Sequence, residues 1–198
     1  FAQNLKYYLD KTNAGTYLIV FSDMLNFRKQ IDDSYKSYRK AIRKPVCYKA
    51  LRDWLIKTYP CKSLPNLEAD DTIGILATGE YKDKCVIISG DKDMRTIPAW
   101  HCSIIDNQIE KVDLKLADYH FCTQTLTGDQ TDGYKGCIGV GHVKASRVLN
   151  PKKDIDVNWK AVIEEYLRNK MTVDEAYHQS RLARILRTGE YNLKTKKP

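Results

Sequence analysis

The sequence predicts an α/β protein, in which a parallel sheet flanked by helices is followed by a helical region. Two observations lead there. Apolar runs without alternation, the pattern of strands buried on both faces, take turns with segments whose apolar residues recur at helical spacing. Acidic residues also stand at four places where such an element begins or ends, as at a sheet edge where strand ends converge on a ligand.

In chain order, Ala2–Asp10 reads as a helix with Leu5, Tyr8 and Leu9 on one face, broken by Asn13-Ala-Gly15. Thr16–Ser22 is a buried strand, closed by Asp23. Asn26–Lys44 holds Arg28, Lys29, Lys36, Arg39, Lys40, Arg43 and Lys44 with Tyr35 and Tyr38 among them, and Pro45 ends it. Tyr48–Thr58 is a helix with Leu51, Trp54 and Leu55 as its stripe. A second helix runs from Leu67 to Thr78, with Asn66 as a candidate cap. Lys84–Ser89 is a strand, Ser103–Asp106 a third, with a hairpin into Ile109–Val112. Lys115–Thr125 is helical. Gly128–Gly141 contains five of the ten glycines. Val143–Leu149 is a short helix stopped by Asn150-Pro151, and Val157–Arg168 and Val173–Arg187 close the chain before a basic tail. The expected division is residues 1–113, an α/β core with a basic arch over about 26–60, and residues 114–198, a helical region.

The 198 residues, 42% hydrophobic, suffice for one domain or one domain with a small appendage. A net charge of +8 despite 25 acids points to a local negative hole in a basic surface, which suits a polyanion and a cation together. Six widely spaced cysteines without a Cys-x-x-Cys pair argue against zinc and for a reduced, cytoplasmic protein. No run approaches transmembrane length and no signal peptide is evident, so no membrane partner is expected.

The candidate metal ligands are Asp23, Glu68, Asp70, Asp71, Asp91, Asp93, Asp129 and Asp132. So many carboxylates in one cleft repel each other unless cations neutralise them, and hard oxygen donors suit Mg²⁺ or Mn²⁺. Two such ions make a site for phosphodiester hydrolysis. Blander readings stand beside this one. Asp-x-Asp suits a turn, and acids in a first helical turn suit the helix dipole. In Gly128–Lys144, small residues precede a helix N-terminus, a geometry that holds a DNA phosphate without reading a base, through Gly139, Gly141, His142 and Lys144. Loop carbonyls there could hold a monovalent cation. The basic stretch, which could also be a plain solvated helix face, places Lys36 and Arg39 over the cleft. Arg28, Lys40, Arg43 and Lys44 contact DNA in this reading, and Tyr35 or Tyr38 stacks on an unpaired base.

Together, Phe21-Ser-Asp23, Tyr35-Lys-Ser-Tyr-Arg39-Lys, Glu68-Ala-Asp-Asp71, Ser89-Gly-Asp-Lys-Asp93, Thr127-Gly-Asp-Gln-Thr-Asp132 and Ile138-Gly-Val-Gly141 resemble the 5′-nuclease superfamily of flap endonucleases and 5′→3′ exonucleases, most of all the short phage exonucleases. The segments Arg181–Arg187 and Glu190-Tyr-Asn192 are similar to that subgroup's C-terminal region. The resemblance implies a PIN/5′-nuclease-like fold, a helical arch and a helix–three-turn–helix over about 128–150 that binds duplex and K⁺. It implies that Asp23, Glu68, Asp70, Asp71 and Asp91 serve one metal, and Asp93, Asp129 and Asp132 a second. Lys36 and Arg39 act on the phosphate as catalytic residues, and the substrate is DNA with 5′ ends or flaps, or an RNA–DNA hybrid. The family also begins with a strand ending in a ligand Asp, and none precedes Asp23 here. The expectation is that this strand lies outside the sequence or comes from a separate polypeptide. Otherwise the chain is a non-catalytic DNA-binding protein. A small-molecule phosphatase-like enzyme is a third reading, which the basic arch and glycine loop fit poorly.

Overall fold

The computed structural model describes residues 1–38 and 43–198. The N-terminal half contains α1 (Ala2–Thr12), β1 (Ile19–Val20), α2 (Arg28–Ile31), α3 (Tyr48–Thr58), β2 (Cys61–Lys62), α4 (Ala69–Thr78), β3 (Val86–Ser89), a 3-10 helix (Lys92–Thr96), β4 (Trp100–Ser103) and β5 (Ile109–Lys111). Then come α5 (Leu114–Thr127), α6 (His142–Val148), α7 (Ile155–Arg168) and α8 (Val173–Ala183).

Among the described residues the strands form two sheets. β1 pairs in parallel with β2, while β3 pairs in parallel with β4, and β4 antiparallel with β5. The strand expected over Thr16–Ser22 shrinks to Ile19–Val20, although Ile19 N–H to Pro60 O (3.0 Å) and Phe21 N–H to Lys62 O (2.9 Å) extend its bonding at both ends. The third strand is shifted. It is Trp100–Ser103 rather than Ser103–Asp106, because Ser103 Oγ accepts the amides of Ile105 and Asp106 and turns the chain there. α4 starts at Ala69, and its cap is Glu68 rather than Asn66: Glu68 and Asp71 form a reciprocal capping box.

Helix α4 rests against both sheets, through β1 on one side and through Ile73, Ala77 and Ile87 on the other. The C-terminal half has its own core: Cys122 and Leu126 of α5, Ala145 of α6, Val162 and Tyr166 of α7 and Ala176 of α8. There Tyr166 Oη donates to Thr125 O at 2.7 Å, which satisfies a fully buried hydroxyl.

The helix expected over Val173–Arg187 ends at Ala183, and residues 184–187 run extended across α4. Tertiary bonds override helical propensity here, because the strap's backbone groups are used by buried side chains described below. The strap lies so close to α4 that a Cβ on Gly74 would sit 2.3 Å from Leu186 O. Gly74→Ala is therefore expected to cost about 1–3 kcal/mol by forcing the two apart, read as a lowered urea midpoint; unchanged stability would show that the strap moves freely.

Candidate active site

Three chain segments bring carboxylates together. Asp91 caps the 3-10 helix and accepts Asp93 N–H at 2.9 Å, so the chain turns sharply after β3 and presents both acids. Asp70 lies in the first turn of α4, beside its cap Glu68. In the glycine-rich loop, Asp129 Oδ1 accepts the amides of Thr131 (2.6 Å) and Asp132 (3.1 Å), an Asx-type turn that fixes Asp132. That loop closes on itself through Gly128 and Gly136, both at positive φ, where a Cβ on either would lie 2.3 Å from the other strand's backbone.

Asp71 has a different surrounding from its neighbours. It is fully buried, with the Arg28 guanidinium bidentate on it at 2.6 and 2.7 Å, and its Oδ1 accepts Leu186 N–H at 3.1 Å. Arg28 Nε donates to Leu182 O (2.9 Å), and Nη2 also donates to Arg184 O. Arg28 is 2% exposed, so the expected DNA-facing arginine is instead the clamp between α2, α4 and the strap. Asp71, expected to serve a metal, has its oxygens committed to that clamp. A buried guanidinium with this many acceptors needs a carboxylate partner, since neither charge is tolerated alone.

Tyr35 is corrected in the same way. It is 2% exposed, so it has no face for a nucleobase, and its hydroxyl lies 2.9 Å from Glu68 Oε2 and 3.0 Å from Asp132 Oδ2. Lys36 is 8% exposed and reaches into the same group, with Nζ 2.7 Å from Glu68 Oε1 and 3.2 Å from Asp132 Oδ2. Burial opposes ionisation of Glu68, but Lys36 and Arg28 outweigh it and hold the carboxyl below its usual range.

Among the described residues Asp70 and Asp93 have no cation in direct contact, while Asp129 Oδ2 lies 4.0 Å from Lys92 Nζ. Burial, reinforced by Glu68, Asp91 and Asp71, pushes Asp70 up to about 7. Burial, Asp91, Asp129 and Asp132 push Asp93 up to about 6. Asp93 Oδ1 is buried with no hydrogen-bond partner. A small cavity of about 20 Å³, roughly the room of one ion or water, is lined by Glu68, Asp70, Asp93 and Asp132 on its acidic side, and by Arg28, Tyr35, Tyr134, Leu182, Ala183 and Ile185 on the rest. Hard oxygen donors, an orphaned carboxylate oxygen and mutual repulsion all fit a divalent cation. Among the described residues no three acids, histidines or cysteines yet converge in ligating geometry, which is consistent with Lys36 lying between Glu68 and Asp132.

Asp70 titrates with a definite sign. Its native value lies above its unfolded one, so the native state holds the proton more tightly. That contribution is complete below the ordinary carboxylate range and is lost as pH rises through about 7. Without metal, Asp70→Asn should therefore exceed the wild type in stability by about 1–3 kcal/mol at pH 8 and lose this advantage by pH 4. Chemical denaturation of both proteins at the two pH values checks it; a pH-independent difference would place Asp70 in ordinary solvent.

Asp23 is not brought into this group. Its Oδ2 accepts Asn66 N–H at 2.8 Å and so fixes the turn before α4. The other expected DNA contacts are spread along the surface. Tyr38 is 44% exposed, with its hydroxyl on Thr131 O at 2.5 Å. Arg43 and Lys44 are exposed, Lys44 Nζ lying 4.6 Å from the centre of the Tyr48 ring. Arg39 and Lys40 lie outside the described residues. Gly139, at φ +73°, and Gly141, the cap of α6, leave open space around their Cα atoms, and His142 begins the helix exposed. Lys144 bonds inward, to Glu165 Oε1 at 2.7 Å and Asn169 Oδ1 at 3.3 Å. Sequence reasoning missed Tyr134, which lines the cavity, and Glu165, a fully buried acid that anchors Lys144 and Arg168. No local pattern marks either of them.

Residues 1–124 match the family model of the 5′-3′ exonuclease, N-terminal resolvase-like domain. The chain belongs to the 5′–3′ exonuclease family. It is 32% identical to the exonuclease of Escherichia phage T7, over 92% of this chain and 72% of that protein. It is 31% identical to the exodeoxyribonuclease of Enterobacteria phage T3, over 88% and 69%. The fold matches that of the bacteriophage T5 D15 flap endonuclease, solved with DNA and metal ions, with a TM-score of 0.59 at 18% identity over 91% of this chain and 81% of that one. Within this exonuclease family the carboxylate group formed by the start of α4, the turn after β3 and the glycine-rich loop is the candidate catalytic centre. Among the described residues no helix is long and apolar enough to cross a membrane.

Proposed function

We propose that this chain is a metal-dependent nuclease that hydrolyses phosphodiesters of DNA from 5′ ends or flaps, with RNA–DNA hybrids as a further substrate. The carrying observation is the group Glu68, Asp70, Asp91, Asp93, Asp129 and Asp132, with a buried, unpaired oxygen on Asp93, in a member of the 5′–3′ exonuclease family. Asp70, Asp91 and Glu68 hold one divalent cation in this reading, and Asp93, Asp129 and Asp132 a second, Mg²⁺ or Mn²⁺ in each case. Divalent cations held by these acids would supply charge neutralisation at the phosphate and lower the pKa of the attacking water. Arg28 and Tyr35 orient Glu68, while Asp129 fixes Asp132 through its turn. The positive charges of Arg39, Lys40, Arg43 and Lys44 supply a cationic approach for the strand. The open backbone of Gly139–Gly141 before α6 faces a duplex phosphate, and K⁺ is the further ion proposed at that loop. A phage-encoded exonuclease of this kind works in the cytoplasm of the host cell.

Among the described residues, β1 bonds to β2 alone and β3 to β4 alone, so each has one bare edge. We propose that one further extended segment, in cis or in trans, completes the sheet there. Slowed amide exchange at Val20 and Ile87 when the segment is present supports it, and unchanged exchange sinks it.

Incubation with 5′-labelled duplex and flap DNA tests the activity. Short 5′-phosphorylated products are expected with Mg²⁺ and none with excess chelator. Binding without product under every metal condition, with the completing segment supplied, would make the chain a non-catalytic DNA-binding protein instead.

A further inference from the structure

We infer that the Lys36 ammonium is an internal counter-ion of the metal-free centre, which divalent cation must displace, and whose release presents Lys36 to the substrate strand. The inference rests on the metal reading above. Lys36 Nζ bridges Glu68 and Asp132, one carboxylate from each of the two proposed ion-binding groups. It thus lies where the two sets meet. An ammonium ion with two carboxylate partners supplies the positive charge that the acids otherwise lack.

The backbone at Lys36 supports this placement. Its φ is +52°, a left-handed conformation that costs energy for any residue with a Cβ, and such conformations persist where the surroundings hold them. Here Lys36 N–H donates to Asp132 O at 2.8 Å, and Gly133 leaves room for the approach, since a Cβ there would lie 3.1 Å from Ser34 O and 3.4 Å from Lys36 N. The loop that carries Asp132 therefore steers Lys36 inward. Nζ also lies 4.9 Å from the centre of the Tyr35 ring, a further cation-stabilising face. Asp93 and Asp70, which have no such partner, are left to attract the first ion. Entry of a divalent cation beside Glu68 and Asp132 removes the reason for Lys36 to stay, because like charges repel at that range. The side chain then swings out on its flexible stem, free to meet an anionic substrate strand.

Two measurements on the whole chain test the exchange. Mn²⁺ affinity is compared between wild type and Lys36→Met by calorimetry. Without an ammonium to displace, the variant is expected to bind about tenfold more tightly, the factor for a competitor in place about nine-tenths of the time. In the wild type, acylation of Lys36 by an amine-reactive ester is followed by peptide mass spectrometry with and without Mn²⁺. The Lys36 rate is expected to rise several-fold on addition of Mn²⁺, on the order of the same exchange factor, while exposed Lys49 stays constant. Equal or weaker Mn²⁺ binding by Lys36→Met, or a Lys36 acylation rate that metal does not change, would overturn the inference. Should the variant fail to fold, the wild-type acylation ratio decides alone. No saturable Mn²⁺ binding in either protein would overturn the metal reading, and the exchange with it. Saturable binding lost in Asp93→Asn but unaffected at Lys36 would leave the metal reading standing and remove only the exchange.

Discussion

Arg28→Met is expected to destabilise the protein by about 3–5 kcal/mol, the cost of leaving a buried carboxylate without its partner. Asp71 has no route to solvent, and Arg28 supplies two of its short bonds. The loss extends past the pair. Leu182 O and Arg184 O lose their donors, so the strap over α4 loosens together with the contact between α2 and α8. The double variant Arg28→Met/Asp71→Leu should recover most of that loss, because it removes both charges from an apolar setting. Urea denaturation of the three proteins measures it. A double variant no more stable than Arg28→Met would mean that Arg28 acts through the strap carbonyls and not through Asp71. Metal affinity gives the functional side: Glu68 is oriented from the same guanidinium at 3.4 Å, so Arg28→Lys should weaken Mn²⁺ binding even where the fold survives.

Asp93→Asn should reduce turnover by about a thousandfold or more, the scale for removing one essential electrostatic element of a water-excluded site, with substrate binding nearly intact. Asn keeps the shape and the amide contact to Asp91 but cannot balance a divalent cation. The same change should leave the metal-free protein as stable as the wild type or more so, since Asp93 is repelled by Asp91, Asp129 and Asp132. Activity loss with unchanged or increased stability separates a functional acid from a structural one. Arg28 and Asp93 therefore form a contrasting pair. One change should break the fold and, through it, the site; the other should break the site alone. Loss of stability in Asp93→Asn would place that acid among the structural ones.

Much of the core was legible because local signals agreed. The α3 span Tyr48–Thr58 and the acids following β3 follow from stripe spacing and from an apolar run ending in Gly-Asp-x-Asp. The glycine-rich loop was legible from the residues that only it could need: Gly128 and Gly136 sit at positive φ with their backbones too close for a side chain. Spacing could place acids at element ends but could not say which of them would face each other.

The sequence by itself determined the α/β class, the acidic strand ends, the basic segment and the glycine loop, since each depends on residues close in the chain. Tertiary structure alone decided the division of labour among like residues. Asp70 and Asp71 are adjacent, yet one is pushed up to about 7 by burial and neighbouring acids, while the other is clamped by Arg28 from 43 positions away. Arg28 reads in the sequence as a DNA contact and Lys36 as a cation over the cleft, yet both are buried against acids on α4. The last helix stops at Ala183 because the backbone beyond it bonds to that clamp. The reason is common to all three: a charge far from water is placed by its partner, and a partner brought from a distant segment leaves no mark in the local sequence.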